Sequence, residues 1–334
     1  MSIAPSDDHV IRVPEGIDAW SENLFFFPFD YQQGIGAAMH LGRSGQDPHF
    51  WREFVYVMLP GGRALVAKNF GHAFDTDTKN SANSLTYECL EPFKRWRATF
   101  DGLMRETSTA DLLAGVLAER TWTRVQFQFD YTSLFDVPWQ AHTTPTAPGG
   151  AFSGTGSFHY EQVCTSTGTL TVGDTTYTLS CRGFRDHTRG VRKFRARSGH
   201  TLLSFSTEDG QIGGFYQVRD LDGVPNFNGA YTVGPDGKPH DAEVLSAPKF
   251  TTRAVPGAFQ AVLRDYEGKE IVVDGTGLNS VPMTIVSPND MFFGISRDDD
   301  QFSCTMSPSS ATVNGVPGWA HLELSMLNQL VQDA

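Results

Sequence analysis

HYEQVCTSTGTLTVGDTTYTLSCRGFRDHTRGVR, residues 159–192, reads as a β-hairpin with chemistry on both arms. Its centre, GTLTVGDTTYTLSCRG (168–183), sets Thr, Val, Leu and Tyr on either side of a Gly173-Asp174 turn. That turn puts Cys181 opposite Ser166 rather than Cys164, so the register specifies no disulfide. On the incoming arm, alternation puts His159 and Glu161 on one face and Tyr160 on the other. On the outgoing arm Asp186 and His187 are neighbours, so an extended strand points them opposite ways. A bulge or turn, for which Gly183 and Gly190 leave room, is what would bring both to one side. Arg182, Arg185, Arg189 and Arg192 surround the pair. An Asp facing a barrel interior would be partly desolvated, which suits it to proton donation, whereas the arginines favour its ionised form. From these local residues alone, a salt-bridged turn outweighs a catalytic pair.

Outward from this hairpin the chain is mostly short strands. WREFVYVMLP-GG-RALVAKNF (51–70) predicts a hairpin, and LTYECL (85–90) and KRWRATFDG (94–102) continue the meander. RVQFQFDY (124–131) alternates as a half-buried strand. TLLSFSTEDGQIGGFYQVRD (201–220) and FQAVLRDYEGKEIVVDG (259–275) predict two more hairpins. STADLLAGVLAER (108–120) predicts the one helix, capped by Ser108 or Thr109. HLELSMLNQLVQ (321–332) mixes helix and strand periods. HTTPTAPGGAFSGTGS (142–157), rich in Pro, Gly, Ser and Thr, predicts a linker. The expectation is therefore an all-β protein of two antiparallel barrels or sandwiches with few helices, divided into residues 1–150 and 151–334.

Composition narrows the function. The 334 residues are 40% hydrophobic and 19% charged, enough for two cores and unlike a disordered chain. The 25 Phe, 9 Tyr and 6 Trp fill β interiors or line apolar cavities. A net charge of −12 repels phosphate backbones. RGVRKFRAR (189–197) runs against that balance without a recognition motif, so no nucleic-acid partner is expected. The N-terminus is polar and acidic, unlike a signal peptide, and FVYVML (54–59) is too short to span a bilayer. A cytoplasmic, soluble protein follows, with Cys89, Cys164, Cys181 and Cys304 as free thiols. The ten histidines show no metal-binding spacing, and no nucleotide or serine-hydrolase motif stands in its proper context. Neither metal nor cofactor is expected. The oligomeric state is open, with a homodimer as the candidate assembly.

The hairpin resembles the signature of the carotenoid 1,2-hydratase/AttH-like superfamily, roughly H-Y-E-Q, a hairpin, then G-x-G-x-R-D-H-S-W-G-x-R. The chain keeps His159, Tyr160, Glu161, Gln162, Gly183, Arg185, Asp186, His187, Gly190 and Arg192. It departs at Thr188, Arg189 and Cys181, where Ser, Trp and Gly are usual. ENLFFFPFDYQQGIGAAMHLG (22–42) and LEPFKRWRATFDG (90–102) extend the likeness over roughly residues 20–200. The resemblance implies two lipocalin-like domains and a cofactor-independent lyase, hydratase, isomerase or cyclase. Its substrate would be a small hydrophobic molecule (terpenoid, steroid or aromatic) in a β-barrel cavity. Asp186 and His187 would be the catalytic pair, and His159, Tyr160, Glu161, Glu22 and Trp96 would line or support the substrate site. The competing reading is a non-catalytic carrier of a hydrophobic ligand.

Overall fold

The computed structural model describes residues 4–13, 17, 20–73, 78–117, 121–140, 158–191, 197–250, 253–287 and 290–331. The expected linker at 142–157, Arg192 and most of the Arg-rich segment lie outside them. About two-thirds of the described residues are in antiparallel strands, and the fold is all-β as the alternating pattern predicts.

The first sheet comprises Trp20–Asp30 (β1), Ile35–Ser44 (β2), Asp47–Met58 (β3), Arg63–His72 (β4), Lys79–Ser81 (β5), Leu85–Glu91 (β6), Arg95–Ser108 (β7), Trp122–Ser133 (β8), Trp139–Gln140 (β9), Phe158–Val172 (β10) and Thr175–Val191 (β11). Pairing runs β4-β3-β2-β1-β11-β10-β8-β7 and returns from β7 to β4, closing an eight-stranded barrel. The second comprises Gly199–Thr207 (β12), Ile212–Arg219 (β13), Pro225–Val233 (β14), Pro239–Ser246 (β15), Ala258–Arg264 (β16), Glu270–Gly277 (β17), Val281–Ser287 (β18), Asp290–Phe293 (β19), Phe302–Val313 (β20) and Val316–Leu327 (β21). It closes in the same way through β17 and β20, leaving the β18–β19 hairpin attached to β20 outside the ring. Closure removes exposed strand edges.

Strand pairing divides the chain elsewhere than at residue 150. The signature hairpin β10–β11 bonds to β8 and β1, so it belongs to the first barrel, and the second sheet starts at Gly199. Local sequence could not show this, because a long connection separates β10 from its partner β8. The helix is also shorter than its apolar pattern suggests. It covers Thr109–Leu113, capped by the Ser108 side chain accepting from Asp111 N, and ends where Gly115 adopts a positive φ of 73°. HLELSMLNQLVQ resolves as the end of β21 followed by a 3₁₀ turn at Asn328–Leu330.

Two cores lie inside the barrels and a third lies between them. Leu24 and Phe26 point into the first barrel; Phe25, Phe27 and Phe29 point at the second and pack with Phe184, Leu202 and Met306. This explains why β1 is buried along its whole length. Each such Phe contributes about 1.5–3 kcal/mol of burial before entropy is charged against it.

Candidate active site between the barrels

β10 and β11 pair from Phe158↔Arg189 to Val172↔Thr175 without a register shift, and Ser166 faces Cys181 as the turn predicts. No bulge intervenes, so strict alternation sorts the signature between two compartments. Tyr160, Gln162, Arg185, His187 and Arg189 enter the first barrel. His159, Glu161, Asp186 and Thr188 face the second.

The inward set forms a structural network. Pro5–Asp8 carries Asp8, fully buried, into the barrel. There Asp8 accepts from Arg185 at 3.1 Å, Trp96 Nε1 at 2.8 Å, Phe93 N at 2.5 Å and the Tyr160 hydroxyl. Burial alone would raise the Asp8 carboxyl; the Arg185 charge and these hydrogen bonds outweigh it and hold it below its ordinary value. Glu22, equally buried, accepts from Arg43 Nε at 3.0 Å and His187 Nε2 at 2.9 Å. Burial pushes Glu22 up, but His187 and Arg43 hold it low; burial in turn lowers the pKa of His187 despite the opposing pull of Glu22. Tyr160, Trp96, Glu22 and His187 therefore sit inside the first barrel, not on a cavity shared with Asp186. His187, expected beside Asp186 as a catalytic partner, is thus turned away from the cavity, and Tyr160, Trp96 and Glu22 do not line it but stand behind the wall that Asp186 belongs to. The cause is the period of two along an unbroken strand. Arg189, the departure from the usual Trp, donates to Asp7 Oδ1 at 2.8 Å and lies 4.3 Å above the Phe158 ring.

The outward set meets a cavity of about 80 Å³ between the barrels. Asp186, His159, His40, Asn23 and Thr188 line it from the first barrel. His200, Glu323, Arg197 and Tyr216 line it from the second, and Phe25, Leu202, Ile285, Met291 and Met306 complete its apolar wall. Glu161, fully buried, lies beside Asp186 across the ladder, and its Oε1 is 3.2 Å from His159 Nε2. Its Oε2 has no hydrogen-bond partner among the described residues. His159 Nδ1 is 2.7 Å from Thr188 Oγ1. Opposite, His200 Nε2 donates to Glu323 Oε1 at 2.5 Å, and Ser325 Oγ donates to His200 Nδ1 at 2.6 Å.

Electrostatics separate the two glutamates. Burial, reinforced by the charges of Asp186 and Glu323, drives Glu161 well above the usual carboxyl range. Burial also opposes ionisation of Glu323, but the His200 hydrogen bond and the nearby His and Arg charges hold it below its ordinary value. Burial thus favours the protonated form of Glu161, behind one wall, while the His200 hydrogen bond favours the carboxylate of Glu323 on the other, the kind of separation that acid/base chemistry uses.

A family model described as a domain of unknown function (DUF7064) matches residues 5–328. The chain belongs to this family. No curated protein is a significant sequence match to this DUF7064 chain. Its fold is similar to that of an AttH candidate from Nitrosomonas europaea, at 12% identity and a TM-score of 0.62, covering 97% of this chain and 96% of the other. It is also similar to kievitone hydratase from Nectria haematococca, at 10% identity and a TM-score of 0.54, covering 92% and 88%. CghA in complex with Sch210972 aligns at 12% identity and a TM-score of 0.50, covering 93% and 89%. The two-domain lipocalin-like fold implied by the signature is the fold of the DUF7064 chain.

The second-barrel half of the site escaped sequence reading. Alternation along HLELS places His321, Glu323 and Ser325 on one face once that segment is a strand, but nothing local says which face meets the other barrel. His200, Cys304 and Glu323 also bring potential metal-ligand atoms within 4.8 Å of one another. Direct hydrogen bonds to Glu323, from His200 and at 3.7 Å from Cys304 Sγ, already account for that geometry. No helix among the described residues is long and apolar enough to cross a membrane.

Proposed function

We propose that the inter-barrel cavity is the active site of a cofactor-independent lyase of the hydratase type acting on an alkene-bearing hydrophobic molecule. The observation that carries this reading is a cavity with Asp186 and His159 on one wall and Glu323 and His200 on the other, with buried Glu161 paired to Asp186 behind the first. Asp186, drawing on the proton held by Glu161, protonates one alkene carbon. Phe25 and Tyr216 face the cation that develops at the other carbon. Water attacks that carbon and gives its proton to Glu323, which His200 orients. The product gains one hydrogen and one hydroxyl, and the proton on Glu323 returns to the acid side through solvent.

The fold shared with a protein named as a hydratase supports this class of reaction. A cavity of about 80 Å³ holds only about two or three waters' share of liquid volume. Substrate entry therefore requires the wall to move. Met291 and Met306, with their flexible side chains, form part of the wall that would give way. Four buried free cysteines fit a cytoplasmic location.

The test is turnover of prenylated phenols and linear terpenes in ¹⁸O-labelled water, read by mass spectrometry. Incorporation that drops about 10²–10⁴-fold in Asp186→Asn, Glu161→Gln and Glu323→Gln is the expected result. Full incorporation in all three variants would refute the roles assigned. Tight binding of the same compounds with no turnover by the unaltered protein would make it a carrier.

A further inference from the structure

The second barrel contains a cation that the described residues do not neutralise. Arg219 is 4% exposed, and alternation along β13 turns it inward with Phe215. Its Nη2 donates to Thr201 Oγ1 at 2.9 Å and to the Pro248 carbonyl at 3.4 Å, both neutral. Its Nε–H has no acceptor, and no carboxylate among the described residues forms an ion pair with it. Desolvation lowers its pKa with no opposing negative charge. Burying a lone guanidinium is costly, and an anion delivered to it would relieve that cost.

Beside it lies a cavity of about 250 Å³. Pro248, whose carbonyl Arg219 touches, forms one wall; Phe250, Phe259, Leu322 and Leu324 supply an apolar lining, and exposed Lys249 lies on its rim. Thr201, the other partner of Arg219, is the ladder neighbour of Leu324. The cavity's buried apolar floor of Phe250, Leu322 and Leu324, and a buried cation reached through Pro248 rather than lining the cavity itself, are the two halves of a site for an amphiphilic acid.

We propose that the interior of the second barrel binds the carboxylate of a small apolar acid, with Arg219 as its counter-ion. Scaled from a 150 Å³ apolar cavity that accepts benzene, this cavity takes roughly ten non-hydrogen atoms. Octanoate has that size. The site is separate from the inter-barrel cavity and does not depend on the reaction proposed there.

Titration calorimetry and thermal unfolding with octanoate and 1-octanol test this on the full chain. Octanoate should bind at least tenfold more tightly than 1-octanol and raise the melting temperature with concentration. Arg219→Met should erase that preference and, by removing an unpaired buried charge, raise the melting temperature of the ligand-free protein. Equal affinity for acid and alcohol, or a preference retained in Arg219→Met, overturns the proposal. Should Arg219→Met not fold, Leu324→Trp fills the cavity from its apolar side. Loss of octanoate binding in that folded variant upholds the site, and undiminished binding overturns it.

Discussion

Asp8→Ala tests whether the first barrel is sealed by its own N-terminal segment. The substitution leaves Arg185 buried, at 2% exposure, without its carboxylate, and removes the acceptor for Trp96 Nε1 and Phe93 N. Stranding one member of a buried ion pair costs about 3–5 kcal/mol. In a unit the size of the first barrel, Trp20–Val191, each kcal/mol lowers Tm by about 2–4 °C, giving a fall of roughly 6–20 °C. Thermal unfolding followed by tryptophan fluorescence reads this directly, with Trp96 as a local reporter. The pair Asp8→Leu with Arg185→Met should recover most of the loss, because it removes both charges rather than one. The carboxyl of Asp8 is depressed below its ordinary 3.8, so its stabilisation is fully present above that pH. It is lost only as pH falls from 3.8 through the lower folded value. Asp8→Ala should therefore be least harmful in strong acid. A Tm fall of less than about 2 °C at neutral pH would refute the plug, since it lies well below the cost worked out above.

Three further outcomes follow from the same placement. Glu161 has a folded pKa raised above its ordinary 4.5, so the unaltered protein loses stability as pH rises from 4.5 through that higher value; Glu161→Gln should flatten this decline in pH-dependent denaturant titrations. His187→Phe removes a hydrogen bond to the Glu22 carboxylate and should cost about 1.5–3 kcal/mol in urea unfolding while leaving kcat/KM in the labelled-water assay unchanged. Lys68→Met breaks a partly solvated ion pair, Lys68 Nζ–Asp290 Oδ1 at 2.6 Å, that ties the β18–β19 hairpin to the first barrel. It should change stability by less than about 1 kcal/mol, read from the shift in urea midpoint.

Alternation made the hairpins legible. The Gly173 turn fixed Ser166 opposite Cys181, and the split of His159 and Glu161 from Tyr160 follows from the period of two alone. What stayed hidden depends on contacts far apart in sequence. Asp8 reaches Arg185 across most of the first barrel, and an acidic N-terminal stretch carries no local sign that one carboxylate will be buried. Glu323 and His200 meet Asp186 only because two closed barrels pack face to face, and no periodicity encodes that docking. The domain boundary failed for a related reason: the Pro/Gly-rich stretch at 142–157 interrupts the first barrel's strand order instead of separating the barrels.

The adjacent Asp186 and His187 show how register, rather than residue type, assigns chemistry here. Over residues 183–190 both faces of β11 are largely buried, one against Leu24 and Phe26, the other against Phe25 and the second barrel. A one-residue slip would carry His187 to the cavity and Asp186 into the Asp8 network, setting a carboxylate against a carboxylate there. Two features oppose that slip at once. The Gly173-Asp174 turn sets the pairing from one end, and the Arg185–Asp8 pair, which only an inward Arg185 can form, sets it from the other. The ion pair inside the first barrel therefore acts on the cavity without touching it: by holding Arg185 inward it holds Asp186 outward, beside Glu161.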